Sequence, residues 1–545
     1  MKKSILLLSV FALGLTLSSC VEQLDIPQKS VLDLASYYEN AGPEEAEALT
    51  ARIHKQYFSG VMGIPTVCLL DILSDDHLAG GGGGSDNSWN MRDAGNYMCT
   101  SSDYIPNNVY TGIYREVYYC NSIIERIPES SDPAIVRAKA EAKFFRAISM
   151  FEAVRWWGTP PEADHLLSDE EYNAPNGDPK KIIEWCLQNL DEAAKDLKPM
   201  TADHKAFGAY ISKEAALAYK GKIALWYGQK FNDSAILAQA IEPLKAVISS
   251  GVFGLVDDMK VLGRTKGDFC KEYVFEHNAA DNDGYVDTNQ TDLRHTYLGL
   301  RVEQLALPKH IHGGGWGWVG VSKEFGEFLT AHDGIDGNRF QAWICTYDQI
   351  LDMEYNENLK PEDLGIKRAY PDNQGYFRMK NIFYENDLYP SNAFWKYSKA
   401  NWYYMRYAEV LLLYAEAAFL TGTDVAGGLS ALNQVRQRAG LPALASMTYQ
   451  DIKDERRAEL FSEQERFFDL IRWGEAPQAL ANKGKKVYSL AVGGYKPGVE
   501  KGGPASWNVI EDEGVGYGWN DKYLLLPFPY SQIQANPNLV QNPGW

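Results

Sequence analysis

The chain lacks the short signatures that most often betray an enzyme or a metal site. It has no Gly-x-Ser-x-Gly elbow, no His-Glu-x-x-His pair and no Gly-x-x-x-x-Gly-Lys-Ser/Thr phosphate loop. The local spacings for acyl transfer, zinc hydrolysis and nucleotide binding are therefore missing. Its seven cysteines form no Cys-x-x-Cys pair and no histidine stands at ligand spacing from them, which argues against structural zinc. Positive charge is in deficit: 53 Lys and Arg face 72 Asp and Glu, for a formal charge of −19. A chain so acidic is a poor match for nucleic acid, and for anionic lipid by charge alone. No stretch beyond the N-terminus holds enough uninterrupted apolar residues to span a bilayer. Carboxylates are plentiful, so composition leaves a two-carboxylate surface glycosidase open.

What is present begins at the N-terminus. Lys2 and Lys3 precede an apolar run from Ile5 to Leu17, too short to span, which ends in Leu17-Ser18-Ser19-Cys20. This resembles a bacterial lipobox. The resemblance implies a signal peptide over 1–19, acylation of Cys20, an anchor and tether over 20–40 and a single domain over 41–545. Acyl chains contribute about 0.8 kcal/mol per buried CH2, so several would hold the protein on a membrane. Glu22 and Asp25, just after the anchor, resemble the surface-export signal of Bacteroidetes lipoproteins. The six cysteines beyond Cys20 are expected as mostly buried free thiols.

Helical periodicity dominates much of the mature chain. Helices are expected over Glu44–Phe58, Asn108–Ile127 and Pro133–Trp156. Two regions, about 212–250 and 403–440, read as helix pairs of tetratricopeptide size. The first pairs Ser212–Tyr227 with Ala235–Ile248, and the second pairs Tyr403–Phe419 with Gly428–Arg438. Thr448 and Asp451 read as a capping box for a helix running through Glu455–Trp473. The expected fold is mainly α: a TPR-like hairpin scaffold with large irregular segments and a few short strands.

The irregular segments, 60–107, 255–400 and 484–545, are rich in Gly, Asn, Asp and aromatics. Loops this long in a compact protein are usually functional. A five-glycine run, Gly80–Gly84, leads to Trp89-Asn90, and Gly313-Gly-Gly-Trp316-Gly-Trp318 repeats the Gly/Trp theme. Flat rings suit the C–H faces of sugars, and Asn, Asp and Arg suit their hydroxyls. The candidate ligand residues are Asp75, Trp89, Asn90, Tyr285, Arg294, Trp316 and Trp318. The alternative for the tryptophans is that their rings fold back onto the scaffold. His310 and His312 read as exposed loop histidines. Asp281–Asp287 departs from a calcium loop in spacing, with Asp292 where a Glu belongs, and reads as a solvated turn. No cofactor or metal is expected, calcium being the one alternative kept.

Several longer blocks resemble the SusD/RagB family. They are Tyr114–Ile124; Glu141–Ala147 followed by Trp157-Gly158-Thr-Pro160; Arg406–Ala417; Asn433–Gly440; Glu455–Leu460; Arg466–Trp473; and the Pro527–Gly544 terminus. The acidic Asp71–Asp76 segment resembles the family's lead into a ligand-side loop. The resemblance implies an α-rich fold of TPR-like helix pairs, docking on a SusC-like TonB-dependent outer-membrane transporter, a glycan ligand and no catalysis. It implies an outer-membrane protein facing the cell exterior. A peptide-binding RagB-like protein is the alternative within the family. Within these blocks Arg406, Glu409, Glu416, Arg436, Glu455, Arg456, Glu459, Arg466, Asp469 and Arg472 are expected as interhelical ion pairs.

Overall fold

The computed structural model describes residues 34–80, 90–208, 210–278, 294–300, 310–311, 315–356, 370–382, 384–389, 398–493 and 506–545. Cys20, Trp89, Tyr285, His312 and the 281–292 stretch lie outside the described residues.

The first long helices are α1 (Pro43–Gln56), α2 (Ile64–Ile72), α3 (Tyr104–Arg126) and α4 (Pro133–Trp157). They are followed by α5 (Pro179–Asp196), α6 (Lys213–Lys230) and α7 (Ile241–Ser249). The C-terminal half supplies α8 (Tyr407–Thr421), α9 (Val425–Arg438), α10 (Tyr449–Glu459) and α11 (Arg466–Trp473).

Helix α4 is the axle. The Asp132 carboxylate accepts from the Ala134 N–H at 2.9 Å, and Pro133 sits where a missing N–H costs nothing. From Ala140 to Trp157 nearly every side chain is buried, which demands neighbours on all sides; α3 and α5 flank it. Gly158 ends it at φ 72°. Helix α6 starts on Ser212, whose Oγ accepts from Ala215 N–H at 3.1 Å. At Gly221 a Cβ would sit 2.4 Å from Leu244 Cγ, so glycine sets how closely α6 and α7 approach.

The helix pairs are present, with two differences from the sequence reading. The second half of the first pair is split, into a short Ser234–Ala238 turn and α7. Residues Trp402–Arg406 are a strand leading into α8, not helix. The expected Glu455–Trp473 helix also breaks. Residues 460–465 form a turn in which Ser462 and Gln464 adopt left-handed φ of 58° and 65°. The capping box at Thr448 and Asp451 forms as expected.

Strands are short: β1 (His77–Ala79), β2 (Tyr273–His277), β3 (Val319–Val321), β4 (Trp402–Arg406) and a longer hairpin of β5 (Lys486–Gly493) with β6 (Ser506–Glu513). All their pairings are antiparallel. His77 faces Val321 and Ala79 faces Val319 across β1–β3, while Tyr273 faces Arg406 and His277 faces Trp402 across β2–β4.

Under these elements lies a lattice of buried ion pairs. Arg406 meets Glu272 and Glu459 at 2.5 and 2.9 Å, and also meets Glu463. Arg339 meets Asp333, Glu455 and Glu459 at 2.7, 2.6 and 3.2 Å. Arg472 and Arg456 both reach Glu416 and Asp469. Lys222 bridges Glu409 and Glu465 at 2.8 Å each. Of the family-block residues, Arg406, Glu409, Glu416, Glu455, Arg456, Glu459, Asp469 and Arg472 take part as expected, joined by Lys222, Glu272, Asp333, Arg339, Glu463 and Glu465, whereas Arg466 pairs with Asp75 and Asp76 in the turn after α2. Cys68, Cys99, Cys120, Cys186 and Cys345 are buried free thiols and Cys270 is a half-buried one.

Candidate ligand-binding face

The Gly/Trp loop after Gly315 is held by backbone. Trp316 N–H donates to Thr296 O at 2.6 Å, Gly317 N–H to Gly299 O at 2.9 Å and Trp318 N–H to Tyr297 O at 2.9 Å. A Cβ at Gly315 would lie 2.1 Å from the Gly299 carbonyl carbon. Glycine is what lets the two stretches run so close. Gly80 N–H donates to Trp318 O at 2.7 Å, which ties the end of β1 to the same loop.

This brings three rings together. Tyr297 sits edge-on to Trp316 and to Trp318, with centroids at 4.6 and 4.4 Å, and the two indoles are 5.6 Å apart. Trp318 is only 5% exposed and Tyr297 is buried with it; Trp316 is half-buried at the rim. Burial pushes the Tyr297 phenol up, with nearby Cys68 and Tyr104 adding to the effect. Tyr104, at the start of α3, is 45% exposed. Its N–H donates to Asn90 Oδ1 at 3.4 Å. Asn90 holds a left-handed φ of 58° at the head of the short Met91–Gly95 helix. Its Nδ2 hydrogens make no hydrogen bond to another described residue.

Two of the sequence candidates are corrected by burial. Arg294 is 1% exposed. Its guanidinium donates to Phe58 O and Met62 O at 2.7 and 2.6 Å and lies 3.7 Å over the Phe58 ring. It clamps the π-helical turn Tyr57–Val61 from inside, because that turn leaves carbonyls without helical partners. Trp318 packs into the main core as the base under Trp316. Asp75 is likewise occupied: Arg466 holds it with two hydrogen bonds of 2.8 Å, and Arg457 stands at 3.3 Å. Burial alone would raise the Asp75 carboxyl, but the Arg466 and Arg457 guanidiniums outweigh it and hold the group well below the usual carboxylate range.

Beside the ring cluster, past β1, a polar recess of roughly 250 Å³ is lined by Arg92, Asn96, Asp372, Glu324 and Lys483. Arg92 meets Asp372 at 2.7 Å. Burial pushes the Asp372 carboxyl up to about 6, against the pull of Arg92. The face thus offers half-exposed rings, an amide and a charged recess. Tyr104, Tyr297, Arg92 and Asp372 were not anticipated. Tyr104 lies just ahead of the helix read from the sequence, and the other three become neighbours only through pairings distant in the chain. Among the described residues no group of three or more His, Cys, Asp or Glu side chains is arranged to hold a metal ion. No helix among them is long and apolar enough to cross a membrane.

Comparison with known proteins agrees with this architecture. The family model described as "SusD family" matches residues 271–545, and one described as "Starch-binding associating with outer membrane" matches residues 74–225. A SusD-like protein of Bacteroides ovatus is 22% identical over 490 residues, covering 84% of each chain. SusD-like protein P2 of Formosa agariphila is 26% identical over 430 residues, covering 74% of each. Among solved structures, a laminarin binding SusD-like protein superposes with a TM-score of 0.70 at 25% identity, over 92% of this chain and 99% of that one. Surface glycan-binding protein A from Bacteroides thetaiotaomicron, in complex with laminarihexaose, gives 0.72 at 21% identity over 92% and 99%.

Proposed function

Given that the chain belongs to the SusD family, we propose that it captures oligo- or polysaccharide at the outer membrane and hands it, unchanged, to a SusC-like TonB-dependent transporter. The observation that carries this reading is the half-exposed Trp316 ring. It rests on buried Tyr297 and Trp318, with Asn90 and Tyr104 beside it. A ring so supported is preorganised: little side-chain freedom is lost when a pyranose C–H face stacks on it. Asn90 supplies amide hydrogens for hydroxyls at the ring edge.

The ion-pair lattice belongs to the scaffold in this reading. Its carboxylates are buried and paired to arginine or lysine, so none of them is presented to a glycosidic oxygen as a general acid must be. The lipobox at Cys20 supplies the membrane attachment. The laminarin and laminarihexaose named for two structural relatives make neutral β-glucans the first ligands to try.

The test is calorimetry and affinity electrophoresis of the form lacking residues 1–20 against polysaccharides, oligosaccharides and peptides. Saccharide binding that falls in Trp316→Ala supports capture at this face. Peptide binding alone would favour the RagB-like alternative, and released product sugars would overturn the non-catalytic reading.

A further inference from the structure

A second cavity, of roughly 470 Å³, opens on the side of α3 and is separate from the Trp316 face. Chain segments far apart in sequence wall it. Tyr110, Tyr114 and Tyr118 project from α3, residues Pro161–Ala174 form one side, and Gln532–Asn536 close the other. The walls are pinned. Tyr114 Oη donates to Pro161 O at 2.7 Å, and Asn121 Nδ2 donates to Ala163 O and His165 O at 3.1 and 2.6 Å. Asn536 Nδ2 donates to Ala174 O and Asn538 Nδ2 to Asn173 O, each at 2.7 Å. His165 bridges Asp164 and Glu171 at 2.7 and 3.0 Å, bracing the loop. The cavity is therefore preformed.

Its chemistry is amphipathic. Tyr110 and Tyr114 lie with centroids 4.5 Å apart at its floor. Tyr118 and Tyr172 stand at the lip, 37% and 60% exposed. Exposed rings grouped around a cavity mark an interaction site more often than rings scattered singly do. Around the rings, Thr111, Arg115 and Gln532 carry a hydroxyl, a guanidinium and an amide. Among the described residues none of these side chains makes a hydrogen bond or ion pair. An aromatic floor with unpaired polar groups at its edges matches a pyranose, which has apolar faces and a hydroxyl rim. A purely apolar occupant would strand the polar edge.

The cavity is also connected to the first face. Residues Tyr104, Thr111, Arg115 and Tyr118 are all exposed and follow one stripe of α3 at spacings of 7, 4 and 3. Tyr104 borders Asn90 and Tyr297 at one end, and Tyr118 borders the cavity at the other. The rise along the helix between them is about 21 Å. We propose that the α3 cavity is a second saccharide subsite, reached along this stripe by the same chain that stacks on Trp316. This rests on the glycan reading of the first face.

The test is a titration of a saccharide length series, with the glycan found for the wild type, against Trp316→Ala, Tyr172→Ala, Tyr118→Ala and the Tyr118/Tyr172 double variant. Both tyrosines are at the surface, and matching melting temperatures check that the fold is kept. The expected result is that long chains bind about fivefold more weakly per tyrosine removed, a ring contact being worth on the order of 1 kcal/mol, while short oligosaccharides bind unchanged. Trp316→Ala should weaken both. If long chains ignore the tyrosine changes while Trp316→Ala abolishes binding, the second subsite is wrong and the first face stands. If no saccharide binds the wild type, the glycan reading fails and takes the subsite with it. Loss of transporter association in the double variant, with saccharide titrations unchanged, would reassign the cavity to a protein contact.

Discussion

Arg406 and Glu459 lie 2.9 Å apart with neither side chain exposed, one leading into α8 and the other at the end of α10. Glu459 also receives Arg339 and Arg438, so three guanidiniums share one carboxylate. Burial alone would raise that carboxyl; the guanidiniums, Arg438 and Arg406 foremost, hold it well below its usual range. Removing one partner from a buried pair costs about 3–5 kcal/mol, because charge is left without compensation. Glu459→Ala is expected to lower the unfolding free energy by that much, read as a lower chemical-denaturation midpoint at unchanged slope. An unchanged midpoint would mean that water or Glu463 takes over the pairing.

The two loop tryptophans should separate stability from binding. Trp318→Ala removes a buried indole and should destabilise by about 3–5 kcal/mol. Trp316→Ala removes a half-buried rim ring and should change the melting temperature little, while saccharide affinity falls about tenfold or more. Equal stability losses in both would show Trp316 to be core filler.

The contribution of two raised carboxyls, Asp268 and Glu276, should fall as pH rises from about 4 to about 7. Burial pushes the Asp268 and Glu276 carboxyls up to about 7, their hydrogen bonds from Asn401 notwithstanding. Each folded-state value lies above the unfolded one, so the folded protein holds more protons across that window. The contribution is whole below the unfolded value and is lost as pH passes the folded one. Asp268→Asn and Glu276→Gln should each flatten the profile of urea midpoint against pH. An unchanged slope in both variants would place the titrating groups elsewhere.

The helix pairs were legible because glycine and proline punctuate them and their apolar residues recur at helical spacing. The features missed were non-local. Helix α2 is buried along nearly its whole length, so it shows no periodicity to read. Strand β4 looked like the start of α8 because its partner, β2, is more than a hundred residues earlier. The break at 460–465 carries neither glycine nor proline. Arg294 has the chemistry of a hydroxyl ligand, and only the fold reveals that it is buried with its Nη2 donating to the carbonyls of Phe58 and Met62. Of the candidate site, Asn90 and Trp316 stand at the half-exposed face; Trp89 and Tyr285 lie outside the described residues.

Thiol chemistry offers an independent check on packing. Burial pushes the Cys99 and Cys270 thiols up to about 12. At pH 8 a thiol reagent should modify the native protein slowly and the urea-unfolded protein quickly, since the thiolate is the reactive form. Fast labelling of native Cys270 would show that its half-buried site opens readily.

The bond between Asp75 and Arg466 spans 391 positions of chain. Asp76 leans on Arg457 across a similar gap, and His77 donates to or accepts from Ser462 at 2.7 Å. The strand that supports the Trp316 loop is thus anchored by the last long helices to be synthesised. Closing so long a loop comes late in folding. A chain cut short before α11 would carry Cys20 and the aromatic residues, yet leave the segment beneath them unbraced. On the proposed reading, ligand competence would be a property of the finished chain, and an incomplete copy would display the aromatic residues without the frame that aligns them.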